Sequence, residues 1–237
     1  MREATVKVLS FDELSDEAKE RAHQDWLGKG LPHNWAREAR KTIEAFENEF
    51  GVKVEDWWYD SSGYSFNLDT GNIDDDVLAL KGNRARAWFW NHHGGCLLSP
   101  NVRYFTHVDG KRVEAIGVDN IKYRSNVNFD RVYDGTCPWT GVCFDCNALD
   151  PIAYFCFGVE WDDKEKKRVQ AMSSRKLAID NRNTVESLLN DALHSLFKAL
   201  EEDCEYQDSI EAFKETCEAN NYEFTEDGEM WSGMKEV

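Results

Sequence analysis

The chain has 237 residues, 41% of them hydrophobic and 13% aromatic, which is enough apolar area to offset chain entropy and build a core, so disorder of the whole chain is excluded. Its 45 Asp and Glu against 28 Lys and Arg give a formal net charge of -17, so phosphate backbones and anionic membrane surfaces repel it and direct nucleic-acid binding is not expected. The opening MREATVKVLSFDELSDEAKERA lacks a cationic region followed by an apolar one, no window approaches the ~20 apolar residues of a membrane span, and the seven cysteines are odd in number and scattered; reduced thiols, no membrane and a cytoplasmic location are therefore expected.

In chain order, TVKVLSF alternates apolar and polar residues and predicts a short strand. Ser10 with Glu13, then Ser15 before Asp16 and Glu17, are helix-entry signals. They predict a first helix to about Leu27, with Ala18, Ala22 and Trp26 on one stripe, broken by Gly28 and Gly30. Trp35, Ala39, Ile43, Phe46 and Phe50 recur at helical spacing, so a second helix starts near Pro32 or Asn34 and stops at Gly51. VKVEDWWY and YSFNLD alternate around Ser61, Ser62 and Gly63, which predicts a β-hairpin. Asn72 with three aspartates behind it predicts another helical stretch, interrupted at Gly82 and resumed through ARAWFWNHH. Asp109-Gly110 after Val102, Tyr104, Thr106 and Val108 is a two-residue hairpin signal, and a further strand is expected over residues 121–129.

Residues 162–183 form a polar, locally basic stretch with little periodicity, read as a flexible surface loop. Asn183 with Glu186 is expected to cap a long amphipathic helix carrying Leu188, Leu189, Leu193, Leu196 and Leu200, followed by a helix from Ser209 and a closing strand in NYEFTEDGEMW. The expected architecture is one α+β domain over residues 1–237, an antiparallel sheet with packed amphipathic helices, with 184–237 as an acidic helical region.

The cysteines Cys137, Cys143 and Cys146, with Cys96, His92 and His93 upstream, are the candidate metal ligands, since zinc takes Cys and His in tetrahedral sets. Only one C-x-x-C knuckle is present, so ordinary buried thiols beside Trp139 and Phe144 are the preferred reading and no metal or other cofactor is expected. Asp150 followed by an apolar run and Asp162-Asp163-Lys164 is the one nuclease-like pattern; such triplets arise freely in a chain with 31% charged residues. Asp74, Asp75 and Asp76 suit the first turn of a helix better than a cation site. Trp57-Trp58-Tyr59 and Trp88-Phe89-Trp90 could stack bases or sugars, but alternate members entering the core is the simpler account.

From Glu201 to Val237 there are thirteen acidic residues against Lys214 and Lys235, so this tail holds -11 of the charge. Asp208, Glu211, Glu215 and Glu218 follow at three- and four-residue steps and form one carboxylate stripe, opposite Ile210, Phe213 and Cys217. With no Lys or Arg expected inside it, the stripe would be relieved by a basic partner surface, and carboxylates one helical turn apart lie ~5.4 Å apart along the axis, within a factor of two of DNA phosphate spacing.

FDELSDEAKERA (Phe11 to Ala22) resembles a family of bacteriophage and prophage proteins, some labelled "antitoxin of toxin-antitoxin stability system". The likeness returns at DDVLALKGNR, CPWTGVCFD, ALDPI, EEDCEYQDS and NNYEFTEDG, and leaves out residues 94–118 and the stretch after Asp162. The resemblance implies a phage accessory protein in the cytosol of a bacterial host and supplies no catalytic residues. The expected function is a binding protein rather than an enzyme. It would inhibit a host nucleic-acid-handling or defence protein through an acidic, DNA-mimicking face. A metal-dependent enzyme acting on nucleic acid or a nucleotide signal, and an antitoxin-like regulatory partner, are the alternatives.

Overall fold

The computed structural model of the protein describes residues 7–29, 35–97, 103–116, 137–141, 144–157, 159–162, 167–170 and 182–231. The fold is α+β, as expected, and among the described residues its strands form four separate two-stranded sheets. The chain divides into two compact units. The first comprises Met1–Trp35, Asp60–Gly63 and Glu201–Val237, and the second Ala36–Tyr59 and Tyr64–Leu200.

In the first unit, β1 (Leu9–Ser10) leads into a single 3-10 turn over Phe11–Glu13, and α1 covers Asp16–Gly28. Ser10 donates from both its backbone N and its Oγ to Glu13 Oε2, at 2.8 and 2.9 Å, and Ser15 Oγ accepts from Ala18 N at 3.2 Å, so both entry signals act where the sequence placed them. The C-terminal turns of α6 (Val185–Gln207) from Glu201 onward, α7 (Ile210–Asn220) and β8 (Glu223–Phe224) complete the unit, with β1 antiparallel to β8. Its core is Phe11, Leu14, Ala18, Ala22, Trp26, Phe213, Cys217 and Phe224. Phe213 stands at the centre, with ring centroids 5.2 Å from Phe11, 5.1 Å from Trp26 and 6.2 Å from Phe224. Gly228, at φ +85°, lies so close to α1 that a Cβ there would stand 2.2 Å from the Ala18 carbonyl oxygen.

In the second unit, α2 spans Trp35–Phe50, and Ala39, Ile43, Phe46 and Phe50 are all buried, as their spacing predicts. Gly51 ends the helix at φ +70° with its N–H on the Glu47 carbonyl. The hairpin of β2 (Lys53–Asp60) and β3 (Gly63–Asp69) follows, again as expected. Val52 and Val54 are buried, yet two residues later the alternation changes phase, so that Trp57 and Tyr59 pack against the core while Trp58 stays 49% exposed. The change falls at Asp56, whose φ of 50° places it in the left-handed region, the behaviour of a β-bulge. Trp57, Tyr64 and Phe66 meet Phe197 of α6, at 6.1, 5.9 and 5.0 Å. In the Trp57-Trp58-Tyr59 triplet alternate members are core, as expected, whereas the consecutive Phe89 and Trp90 are both buried, because they lie on a helix (Asn83–Leu97) and not on a strand.

A short helix α3 (Asp75–Leu78) begins after Asp74 rather than at Asn72, and α4 covers Asn83–Leu97. The Asp109-Gly110 turn joins β4 (Arg103–Val108) to β5 (Lys111–Ile116), with φ of 51° and 77° at the two turn residues. The strand expected over 121–129 lies outside the described residues. Helix α5 (Phe144–Phe157) has no counterpart among the sequence expectations; it buries Phe144, Ala148, Leu149, Ile152, Ala153 and Cys156. Within the stretch read as a loop, Lys167–Gln170 instead form β7, paired with β6 (Val159–Asp162). The cap of α6 is one residue later than expected: Thr184 and Ser187 exchange hydrogen bonds of 2.9 and 3.0 Å, in place of Asn183 and Glu186. Among the described residues, no helix is long and apolar enough to cross a membrane.

Candidate acidic surface and cysteine cluster

The first unit carries 21 acidic against 7 basic residues, a net -14, and the second, with 24 against 21, carries only -3. This segregation follows from the core. The apolar faces of α1 and α7 both turn inward onto Phe213, so their carboxylates are left on the outside. Of the predicted stripe, Glu211, Glu215 and Glu218 are exposed and Asp208 is half-buried in the bend between α6 and α7. That bend is held from α1. His23 is buried, and its Nε2 lies 2.9 Å from the Asp208 carbonyl oxygen, which only accepts, so Nε2 carries the proton. The His23 ring stacks on Phe213 at 5.6 Å.

The stripe is not free of cations, contrary to the sequence expectation. Lys214 reaches Glu218 at 3.7 Å and Asp12 at 2.7 Å, because its position on α7 borders the stripe and faces the 3-10 turn. These contacts raise the Lys214 pKa and lower that of Asp12. Glu215 Oε2 accepts from the Tyr206 hydroxyl at 2.9 Å, which raises the tyrosine pKa. Glu211 makes no ion pair among the described residues. Lys7 with Glu226 at 3.3 Å and Arg21 with Asp227 at 3.8 Å are exposed pairs of little energetic weight. The unit keeps its strong negative field despite them.

Among the described residues, the candidate metal ligands do not converge as one set. Cys96 is buried on α4 and donates to the His93 carbonyl at 3.1 Å, and burial together with Glu49 pushes its thiol well above the ordinary range. His93 Nδ1 lies 3.0 Å from Glu49 Oε1, while His92 is exposed. Cys137 and Cys146 come together, with Sγ atoms 3.5 Å apart, and Cys143 lies outside the described residues. Among the described residues, no three His, Cys, Asp or Glu side chains converge as a metal would need. In the nuclease-like pattern, Asp150 accepts from Tyr154 at 3.2 Å on α5 and Asp162 ends β6; Asp163 and Lys164 lie outside the described residues.

Two features of the second unit were missed by the sequence reading. Asp145, fully buried in the first turn of α5, accepts from Trp139 N at 2.9 Å, Thr140 N at 2.6 Å, Thr140 Oγ1 at 2.8 Å and Thr42 Oγ1 at 3.1 Å. A buried anion is tolerable there because four donors and the positive end of the helix dipole replace its water. At the other end of α5, the buried Arg86 donates to the Phe155 carbonyl at 3.1 Å. The helix is thus held by opposite charges at its two ends, each of the sign its dipole favours. The signal in the sequence is an Asp five residues after Thr140 at the start of an apolar run, visible only once that run is known to be helical.

Comparison of the chain with protein-family models, with curated proteins and with solved structures gave no match.

Proposed function

We propose that this chain is a binding protein that docks its acidic unit onto the basic surface of a nucleic-acid-handling or defence protein, as a phage accessory protein acting against its bacterial host would. The observation that carries the reading is the charge segregation: -14 of the -17 lies on one unit whose apolar side chains are turned inward, so the carboxylates point outward together. A field of one sign on one unit steers a cationic partner and repels a polyanion. Exposed Glu211, Glu215 and Glu218 along α7 present charges at helical-turn spacing, comparable with the phosphates such a partner would otherwise hold. The resemblance of FDELSDEAKERA and the later blocks to phage and prophage proteins supports the host setting.

The experiment is affinity capture from a phage-infected bacterial lysate, followed by affinity measurement on the captured partner at two salt concentrations. Replacing Glu211, Glu215 and Glu218 with Gln keeps helix propensity and shape while removing three charges, so affinity should fall and stability should hold. Raising salt from 0.1 M to 1 M should weaken binding steeply, as the Debye length shrinks from ~10 Å to ~3 Å, and duplex DNA should compete for the partner. Unchanged affinity of the triple variant at both salt concentrations refutes the proposal.

A further inference from the structure

We propose that Cys137 and Cys146 form a reversible redox couple, closing to an intramolecular disulfide by exchange with a small-molecule disulfide such as glutathione disulfide. The sulfurs lie 3.5 Å apart, both residues are half-exposed, and closure to a bond of ~2.05 Å needs an approach of ~1.5 Å. A thiol-to-thiol hydrogen bond is too weak to assemble this pair, because S–H is a poor donor and S a poor acceptor. The assembling force lies one residue away. Asp145 holds the backbone N–H groups of Trp139 and Thr140, and so fastens residues 137–141 to the first turn of α5, where Cys146 sits. Trp139 anchors the same segment on its other side, packing edge-on against Phe46 and Phe50 with centroids 6.2 Å away in each case. The thiols are therefore brought together by the fold and not by each other.

Three of the other thiols contrast with this pair in burial. Cys96, Cys156 and Cys217 are buried, and desolvation pushes Cys156 and Cys217 up to about 12, which suppresses the reactive thiolate. In the exchange, one thiolate of the pair attacks a sulfur of glutathione disulfide and expels one glutathione thiolate. The second thiolate then attacks the protein sulfur of the mixed disulfide and expels the other glutathione. Two protein S–H groups and one glutathione disulfide become one protein disulfide and two glutathione thiols, with two electrons passing from the protein sulfurs to glutathione. In a reducing cytosol such a bond is transient and responds to oxidant, unlike a structural disulfide.

The test is equilibration of the full chain in glutathione redox buffers, in native buffer and in urea, followed by acid quench, alkylation and peptide mapping. Wild type and Cys143→Ser should both form the Cys137–Cys146 disulfide. Cys137→Ser should instead leave glutathione on Cys146. Because the fold holds the sulfurs together, the equilibrium constant for closure should be about tenfold or more greater in buffer than in urea, or ~30 mV in midpoint potential. By linkage the oxidised protein should melt at a higher temperature than the reduced. A bond from either cysteine to Cys143, separate glutathione adducts on both sulfurs without closure, or equal constants in buffer and urea would each overturn the proposal.

Discussion

Replacing Asp145 separates two explanations of its burial, since a carboxylate is present either for its shape and acceptors or for its charge. Asp145→Ala strands the N–H groups of Trp139 and Thr140, which are fixed by the backbone, while the hydroxyls of Thr42 and Thr140 can rotate. Two buried donors left without acceptors cost ~1–3 kcal/mol each, and release of an anion from a dry site returns part of that, so the net loss should be ~2–4 kcal/mol. Asp145→Asn should be milder. Its oxygen can take the Oδ2 position that receives both backbone N–H groups, and its NH2 then faces two hydroxyls, each able to accept. Only the charge assistance of the bonds is lost, so ~1–2 kcal/mol is expected. Urea denaturation followed by the summed fluorescence of the nine tryptophans, Trp139 among them, and by far-UV circular dichroism would measure both. Asn as damaging as Ala would refute this argument, because the charge rather than the acceptor geometry would then be essential; a loss under ~1 kcal/mol for Ala would show that water replaces the carboxylate freely.

Phe46 is fully buried with Phe50 at 4.8 Å, so Phe46→Ala should destabilise by ~3–5 kcal/mol in the same urea assay. The Glu13 carboxyl is held below its ordinary range by the backbone N–H and hydroxyl of Ser10, so its stabilising effect is present above the unfolded value and is lost as pH falls through the folded one. An NMR titration should show that lowered value, and Ser10→Ala should move it back toward the ordinary glutamate range. Gly228→Ala should lower the melting temperature of the protein sharply, since a left-handed backbone costs ~1–2 kcal/mol with a Cβ and the new atom collides with the Ala18 carbonyl.

The elements legible in the sequence are those where local chemistry and periodicity agree. Ser15, Ser209 and Gly51 punctuate helices whose apolar residues recur at three and four, and Asp109-Gly110 fixes a hairpin by its dihedral demands alone. Helix α5 was illegible because it is apolar on most sides and contains Pro151, a residue that ordinarily argues against a helix interior. The pairing of β6 with β7 was hidden because its charged residues suit a loop as readily as a strand. At the acidic surface, the tail's own -11 could be counted from the sequence, but not its joining with the carboxylates of α1, which depends on contacts between the two ends of the chain. The same long-range folding brings Lys214 to Asp12 and spoils the cation-free stripe. The cysteine pattern groups Cys137 with Cys146 as candidate metal ligands but does not show their meeting as a pair beside a buried carboxylate, which depends on Asp145 holding the Trp139 and Thr140 N–H groups.

Asp56 gives strand β2 something like a reading frame. Before it, even-numbered residues enter the core; after it, odd-numbered residues do. Were Asp56 to take up regular extended backbone, every amino acid would stay in place and yet the ring side chains of Trp57 and Tyr59 would turn toward solvent while Trp58 was carried inward, out of step with Phe197 on α6. Deleting Asp56 outright would instead keep Trp57 and Tyr59 in phase with Val54, whereas one extra regular residue before Trp57 would throw them out of phase, and a compensating deletion in the Ser61-Ser62 turn would come too late for this strand. Insertion in β2 is therefore far more constrained than its exposed, polar residues suggest, and the constraint lies in the parity of the regular residues on either side of the bulge rather than in the identity of any side chain.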